Sequence, residues 1–220
     1  MNIIRELGAL MYPWPLECRS CGNNTGGEYV LCAGCRSMLD AEEPLTGFGV
    51  DAFGISAAAH RYNGAAREMV TSLKYNSFSV LARDMVSDML RAADSAGISQ
   101  PDVIAYVPMH ARRRREKYFD QAEVLAKLAA KHWDMRRSKA LTRVREGEQQ
   151  ARIRDAEARA RNVKDAFSAS PEVYGKRVLL IDDVYTTGAT SKECARTLID
   201  AGAASVDLLV YAFAGGSMGA

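Results

Sequence analysis

The sequence predicts an α/β fold in which a parallel sheet is covered by helices on both faces, with a small loop-rich module at the N-terminus. Short apolar runs alternate with segments of helical periodicity, which is typical of repeated strand–helix units. The runs at 177–181 and 205–213 are apolar without alternation, as expected for strands buried on both faces. Residues 18–36 are rich in cysteine and glycine instead and predict a compact knuckle.

The length and composition of the chain fit one ordinary domain and a small module. The chain has 220 residues, of which 48% are hydrophobic and 25% charged, and its formal net charge is +2. We place the module and the N-terminal segment at 1–45 and the main domain at 46–220. No apolar run approaches the roughly 20 residues that a bilayer span needs, and the N-terminus lacks the features of a secretory signal, so we expect a cytoplasmic protein.

The first half of the main domain predicts strand, helix, helix, strand and helix. In the second of these helices Leu81, Met85 and Met89 repeat at four-residue spacing, so one face should be buried. The predicted elements are a strand over 52–62, helices over 64–75 and 79–96, a strand within 102–109 and a helix over 121–133.

The second half begins with a polar region at 145–162 that has no apolar face, preceded by a moderately apolar stretch at 139–144 and followed by a short segment at 165–168. A strand over 177–181, a helix over 189–201 and a last strand over 205–213 follow. In the helix we expect Cys194, Leu198 and Ile199 to face inward. Right-handed crossovers would bring the loops after the parallel strands to one edge of the sheet, where ligands bind in such folds.

Four cysteines have the spacing of a metal-binding ribbon. Two Cys-x-x-Cys pairs are separated by ten residues, and we expect Gly22 and Gly34 to allow the tight turns. Because four thiolates leave no open position, the sequence predicts a structural Zn²⁺ site, with four free thiols of a reducing compartment as the alternative. Cys194 lies apart and is expected in the core. The predicted ligands are Cys18, Cys21, Cys32 and Cys35.

The segment after the strand at 177–181 predicts a site for a phosphorylated sugar. Backbone N–H groups of a threonine- and glycine-rich turn at a helix N-terminus converge on an anion, and Gly188 permits close backbone approach. The two carboxylates before the turn would repel phosphate and suit ribose hydroxyls, alone or with Mg²⁺. An acidic pair that only caps the helix is the alternative. The candidate residues are Asp182, Asp183, Thr186, Thr187, Gly188, Ala189 and Thr190.

This segment resembles the 5-phosphoribosyl-1-diphosphate (PRPP) motif of type I phosphoribosyltransferases, and nearly the whole chain resembles the ComF family, whose members are linked to competence for DNA uptake. The resemblance also rests on the paired cysteines and on the stretches at 73–75, 107–108, 121–122 and 149–162. It implies a Rossmann-like core in which Asp182 and Asp183 hold the ribose hydroxyls of PRPP with Mg²⁺. The turn at 186–190 would wrap the 5′-phosphate.

The resemblance further implies a pyrophosphate loop at 108–120 and a mobile flap at 145–162. The loop departs from the family, which usually has a second proline and an Arg-Gly-Phe-Asn-Gln series where this chain has His110 and residues 117–121. Solvated basic segments or a nucleic-acid patch are the alternatives for the loop, and an exposed charged helix is the alternative for the flap. The loop candidates are His110, Arg112, Arg113, Arg114, Arg115 and Lys117, and the flap candidates are Arg143, Arg145, Gln149 and Arg152.

Three functions remain open at this point. The first is an enzyme that transfers phosphoribosyl from PRPP to an acceptor that no motif identifies. The second is a DNA-handling accessory protein for transformation, whose zinc ribbon and arginines contact single-stranded DNA or competence proteins. The third is a PRPP-sensing regulator without turnover.

Overall fold

The computed structural model describes residues 17–25, 30–75, 79–109, 120–145 and 163–215. The helices are α1 (Ala33–Asp40), α2 (Gly64–Tyr75), α3 (Ser79–Ser95), α4 (Gln121–Ala130) and α5 (Ala189–Asp200). The strands are β1 (Leu45–Thr46), β2 (Ser56–Arg61), β3 (Val103–Tyr106), β4 (Leu141–Arg143), β5 (Phe167–Ala169), β6 (Arg177–Tyr185) and β7 (Ser205–Phe213). Two 3₁₀ turns lie at Lys131–Trp133 and Pro171–Val173.

The main sheet has five strands in the order β1-β2-β7-β6-β3. The last four are parallel to one another, and only the short edge strand β1 is antiparallel. The predicted α/β fold with a parallel sheet is therefore confirmed. Strand β6 lies between β7 and β3, so the loop that follows it opens at the carboxyl edge of the sheet between these two strands. Strands β4 and β5 form a separate antiparallel pair.

Both faces of the sheet are buried, and alternate residues of β6 divide between them. Leu179 and Ile181 join a core with apolar residues of α2, α3 and α4, whereas Val178 and Leu180 join a second core under α5 and the β4–β5 pair. This alternation places α4 and α5 on opposite faces of β6. The predicted buried residues Leu81, Met85, Met89, Cys194 and Leu198 are all 3% exposed or less.

The cysteine module is packed onto the main domain through both apolar and ionic contacts. Cys35 and Leu39 belong to the same core as α2 and α3. Next to Cys35, the guanidinium of Arg36 donates to the carboxylate of Asp88 on α3 at 2.9 Å. Asp88 has a side chain that is 1% exposed, and it also accepts from His60 Nε2 at 3.1 Å and from Arg91 at 2.8 Å. The module is thus held to the sheet by a buried carboxylate.

The structure corrects the expected end of the central strand. Strand β6 runs on to Tyr185, since its pairing with β7 continues past Ile181 to Asp182 opposite Val210 and Tyr185 opposite Phe213. The acidic pair therefore lies within the strand and not after it.

The predictions that Ile199 is buried and that Gly34 forms a tight turn were wrong. Ile199 does not face inward and is 46% exposed, because Cys194 and Leu198 occupy the buried ridge of α5 and Ile199 lies about 100° farther round the helix. Gly34 lies inside α1 and makes no turn, whereas Gly22 has the left-handed φ of 77° that a tight turn requires. Within the part of the chain that the structure describes, no helix is long and apolar enough to cross a membrane.

Candidate functional site

The acidic pair of β6 lies toward the carboxyl edge of the sheet, with two residues between it and the turn at 186–190. One oxygen of Asp182 accepts a hydrogen bond from the backbone N–H of Asp183 at 2.9 Å. The other lies 3.5 Å from the hydroxyl of Ser191, in the first turn of α5. Asp182 is therefore directed toward the face that α5 covers, and its position is tied to the start of that helix.

Negative charge is concentrated around Asp182. Burial of its carboxyl group, then the charge of Asp183 and that of Asp120, raise the pKa of Asp182 well above its usual value. A carboxyl group in this environment is stabilised by a cation or by hydrogen-bond donors such as sugar hydroxyls. A metal ion, or a ligand with hydroxyl groups, would therefore stabilise the ionised carboxylates at this end of β6.

The turn at 186–190 has a geometry that only glycine permits at its centre. Gly188 is the N-cap of α5 and has a φ of 77°. A Cβ at this position would overlap the hydroxyl of Tyr185 and lie 2.8 Å from the Cε2 atom of its ring. That ring is 6% exposed and stacks on Phe213 with centroids 5.7 Å apart. The aromatic ring thus fixes the height of the turn above the sheet.

The same turn presents the groups that a phosphate binds. Gly188 has no side chain with which to cap α5, so the N-cap position itself supplies no acceptor to the first-turn amides. Thr186 and Thr187 are exposed, and the hydroxyl of Thr187 lies 3.4 Å from the backbone N–H of Ala189. The helix N-terminus and these hydroxyls together offer donors to an anion.

Asp120 brings a second helix to this edge. Its carboxylate accepts from the backbone N–H of Met109 at 2.9 Å and caps α4 through the N–H of Glu123 at 3.4 Å. The hydrogen bond from Met109 to Asp120 therefore joins the two ends of the predicted pyrophosphate loop, and the charge of Asp120 acts on Asp182. Its candidates His110, Arg112, Arg113, Arg114, Arg115 and Lys117 lie outside the described residues.

Of the flap candidates, Arg143 belongs to the β4–β5 pair and Arg145 lies two residues after β4. The guanidinium of Arg143, the last residue of β4, lies 5.5 Å from the ring centroid of Phe167, and its Nε donates to the carbonyl of Arg145 at 3.3 Å. Arg145 in turn donates to the carbonyl of Lys164 at 3.4 Å. Gln149 and Arg152 lie outside the described residues. Contacts of Asp165 with Glu193 and Arg196 hold the neighbouring backbone against α5.

The four predicted metal ligands lie together. Their sulfur atoms are all within 4.8 Å of one another, and the Sγ atoms of Cys21 and Cys32 are 3.6 Å apart. Burial and neighbouring thiols raise the pKa of Cys35, while backbone amides outweigh burial and lower that of Cys18. A divalent cation would stabilise all four as thiolates. The cluster could hold a metal such as zinc and agrees with the predicted ribbon.

Asp120 and Tyr185 were not among the residues that sequence reasoning assigned to the site. An aspartate directly before the helical pattern at 121–133 is an N-cap signal, so Asp120 was recognisable as a cap but not as a neighbour of Asp182. Tyr185 carries no local signal, because its role depends on Gly188 folding back over its ring.

Comparison with known proteins assigns the chain to a family. Residues 101–217, more than half of the chain, match the family described as "Phosphoribosyl transferase domain". The "DNA utilization protein YhgH" of Salmonella typhi is 30% identical over 195 residues, which cover 87% of this chain and 81% of that protein. The "Competence protein ComFC" of Bacillus subtilis is 26% identical over 67% of this chain and 59% of its own length. The chain belongs to the ComF-type phosphoribosyltransferase-like family.

The matched part of this ComF-type chain contains β3, α4, β6, α5 and β7, which are the elements that meet at the edge carrying Asp182. Among solved structures, the "allosteric regulatory enzyme of purine biosynthesis" is 25% identical and covers 59% of this chain and 25% of its own, with a TM-score of 0.40. A superposition this loose carries no argument about activity.

Proposed function

We propose that this protein binds PRPP with Mg²⁺ at the carboxyl edge of β6 and transfers its phosphoribosyl group to an acceptor. The observation that carries the proposal is the turn at Gly188, which presents the N-terminus of α5 beside the two carboxylates of β6. The helix N-terminus suits a phosphate and the carboxylates suit ribose hydroxyls, so a phosphorylated ribose needs the two kinds of group next to each other.

In this proposal each part of PRPP has its own binding groups. The 5′-phosphate accepts hydrogen bonds from the first-turn amides of α5 and from the hydroxyls of the turn, and Asp182 and Asp183 accept from the ribose hydroxyls. The proposed residues for the phosphate are Thr186, Thr187, Gly188, Ala189 and Thr190. The guanidinium and ammonium groups of arginine and lysine suit a polyanion, and imidazole and carboxamide groups can add hydrogen bonds to it. The proposed residues for the diphosphate and for flap contacts are His110, Arg112, Arg113, Arg114, Arg115, Lys117, Arg143, Arg145, Gln149 and Arg152.

The reaction would break the bond between C1 of the ribose and the diphosphate and form a bond from C1 to a nucleophile of the acceptor, which loses a proton. Positive charge develops on the ribose ring, and the carboxylates of β6 stabilise it at short range. Bound Mg²⁺ would neutralise charge on the leaving diphosphate. Exclusion of water by a closed flap would protect the reactive C1 centre.

A second function concerns DNA. The names of the relatives refer to DNA utilisation and to competence. We propose that the family's link to DNA uptake extends to this protein, with single-stranded DNA or competence proteins as partners and the cytoplasm as its location. Gel-shift titration across salt concentrations tests direct DNA binding, whose affinity should fall steeply as salt rises. Absence of any shift at low salt would exclude direct contact.

Loss of both carboxylates of β6 is expected to remove PRPP binding. In the double variant Asp182→Asn and Asp183→Asn, affinity should fall about 100-fold or more, because each carboxylate contributes a charged hydrogen bond. Calorimetric titration with PRPP and Mg²⁺ measures it. The control is Asp200→Asn, which changes an exposed carboxylate at the far end of α5. Unchanged affinity in the double variant would refute the proposed site.

Removal of metal from the cysteine cluster is expected to loosen the module from the main domain. The purified protein should contain about one zinc ion per chain by elemental analysis, and a strong chelator should lower the thermal midpoint. Cys21→Ser should reduce the zinc content, whereas Cys194→Ala should not, because Cys194 lies in the core under α5. A chain that carries no metal after expression with zinc would contradict the prediction.

A further inference from the structure

The amide nitrogen of Gln121 is a buried hydrogen-bond donor with no partner in the described part of the chain. Gln121 is the first residue of α4 and is 5% exposed. A buried donor that lacks an acceptor costs free energy, so folded proteins seldom keep one without a reason. The reason can be an acceptor that the protein chain does not supply.

The position of Gln121 points to the carboxyl edge of the sheet. It lies one helical turn before Leu125 and two before Ala129, both of which are 0% exposed in the core between α4 and the sheet. Gln121 therefore lies on the sheet-facing ridge of α4 at the end nearest the site. The preceding residue, Asp120, is close enough for its charge to act on Asp182.

Helices α4 and α5 approach the end of β6 from opposite faces. Helix α5 covers the face of Val178 and Leu180, and α4 covers that of Leu179 and Ile181. The turn at Gly188 gives one anion site at the start of α5. A ligand that extends from this turn over the end of β6 brings its other end to the start of α4, where the carboxylate of Asp120 is already bound by two backbone amides and Gln121 offers an N–H donor.

We propose that the carboxamide of Gln121 donates a hydrogen bond to the diphosphate of PRPP. This inference rests on the proposed function and adds a binding residue to it, on the face of the sheet opposite the 5′-phosphate. A neutral amide is suited to this place, because it donates to an anion without forming an ion pair with Asp120.

Two ligands and two substitutions test the inference. Gln121→Met keeps the length of the side chain and removes the donor, and Gln121→Glu keeps its shape and replaces the donor with an oxygen. PRPP and ribose 5-phosphate, each with Mg²⁺, are titrated by calorimetry. We expect PRPP affinity to fall about 10-fold or more in Gln121→Met and further in Gln121→Glu. Ribose 5-phosphate affinity should stay within about 2-fold of that of the unmodified protein, because this ligand lacks the diphosphate.

The matched control is Gln100→Met, since Gln100 is exposed and its amide already donates to the carbonyl of Trp133 at 3.4 Å. The thermal midpoint of unliganded Gln121→Met should not fall, because a buried donor without a partner is removed. If the unmodified protein binds PRPP and both Gln121 variants bind it equally well, this inference alone is overturned. Equal losses for both ligands, or a lowered midpoint with unchanged affinity, would also overturn it. If the unmodified protein binds neither ligand, the proposed function itself fails.

Discussion

Gly188→Ala is expected to lower the free energy of unfolding by about 2 to 5 kcal/mol and to prevent PRPP binding. Two costs combine at this position. The φ of 77° costs an L-residue about 1 to 2 kcal/mol, and the added Cβ meets the buried ring of Tyr185, an overpacking that costs about 1 to 3 kcal/mol. Relief of the overlap requires the turn to rise, which moves the first-turn amides of α5 away from the proposed phosphate position. Urea unfolding and PRPP calorimetry measure the two effects.

Gly97→Ala separates the two costs. Gly97 has a φ of 75°, and a Cβ there would meet no atom within 4 Å. This variant should therefore show only the conformational cost of about 1 to 2 kcal/mol and keep its PRPP affinity. If the two variants lose equal stability and both bind PRPP, then the contact between Tyr185 and the turn does not position the phosphate site.

Asp88→Asn is expected to lower the free energy of unfolding by about 1 to 3 kcal/mol at neutral pH. The substitution removes the buried carboxylate that pairs with Arg36 and Arg91, and leaves Arg36 with only the exposed Asp40 as a described carboxylate partner. Because Arg36 lies next to Cys35, the loss should also loosen the cysteine module. Asp94→Asn, on an exposed position of the same helix, is the control and should change stability by less than about 0.5 kcal/mol. Similar unfolding curves for the two variants would show that the network contributes little.

The free energy of unfolding is expected to depend on pH through the carboxylate of Asp88. Burial alone would raise the pKa of Asp88, but hydrogen bonds from His60 and Arg36 and the charge of Arg36 lower it to about 2. An aspartate in the unfolded chain has a pKa of about 3.9, so at pH values between the two pKa values the folded state binds fewer protons than the unfolded state. The stabilising effect of Asp88 is therefore complete only above about pH 4. The effect should be lost between about pH 4 and pH 2, and Asp88→Asn should lack this part of the acid transition.

Local patterns in the sequence predicted several elements with little error. The helix at Gly64–Tyr75 and the strand at Ser205–Phe213 have the predicted bounds, because apolar spacing reports directly on which face of an element is buried. The clustering of the four cysteines followed from their spacing alone, since two close pairs can converge on one point without help from the remainder of the fold. The turn into α5 is equally local, because a threonine- and glycine-rich stretch after a strand contains all its own donors.

Tertiary structure decided which distant residues join these local units. Strand β6 extends through the acidic pair because β7 supplies partners as far as Phe213, and no pattern within 177–185 reports that pairing. Likewise, Arg36 finds Asp88 across 52 residues of sequence, and Asp120 reaches the electrostatic range of Asp182 only because α4 begins where β6 ends. By itself the sequence determined the motifs and the fold class, since these depend on spacing between near neighbours. Packing decided the buried charges, and it also buried the amide nitrogen of Gln121 where no described residue accepts from it, because desolvation and contact depend on the elements that fold over a residue.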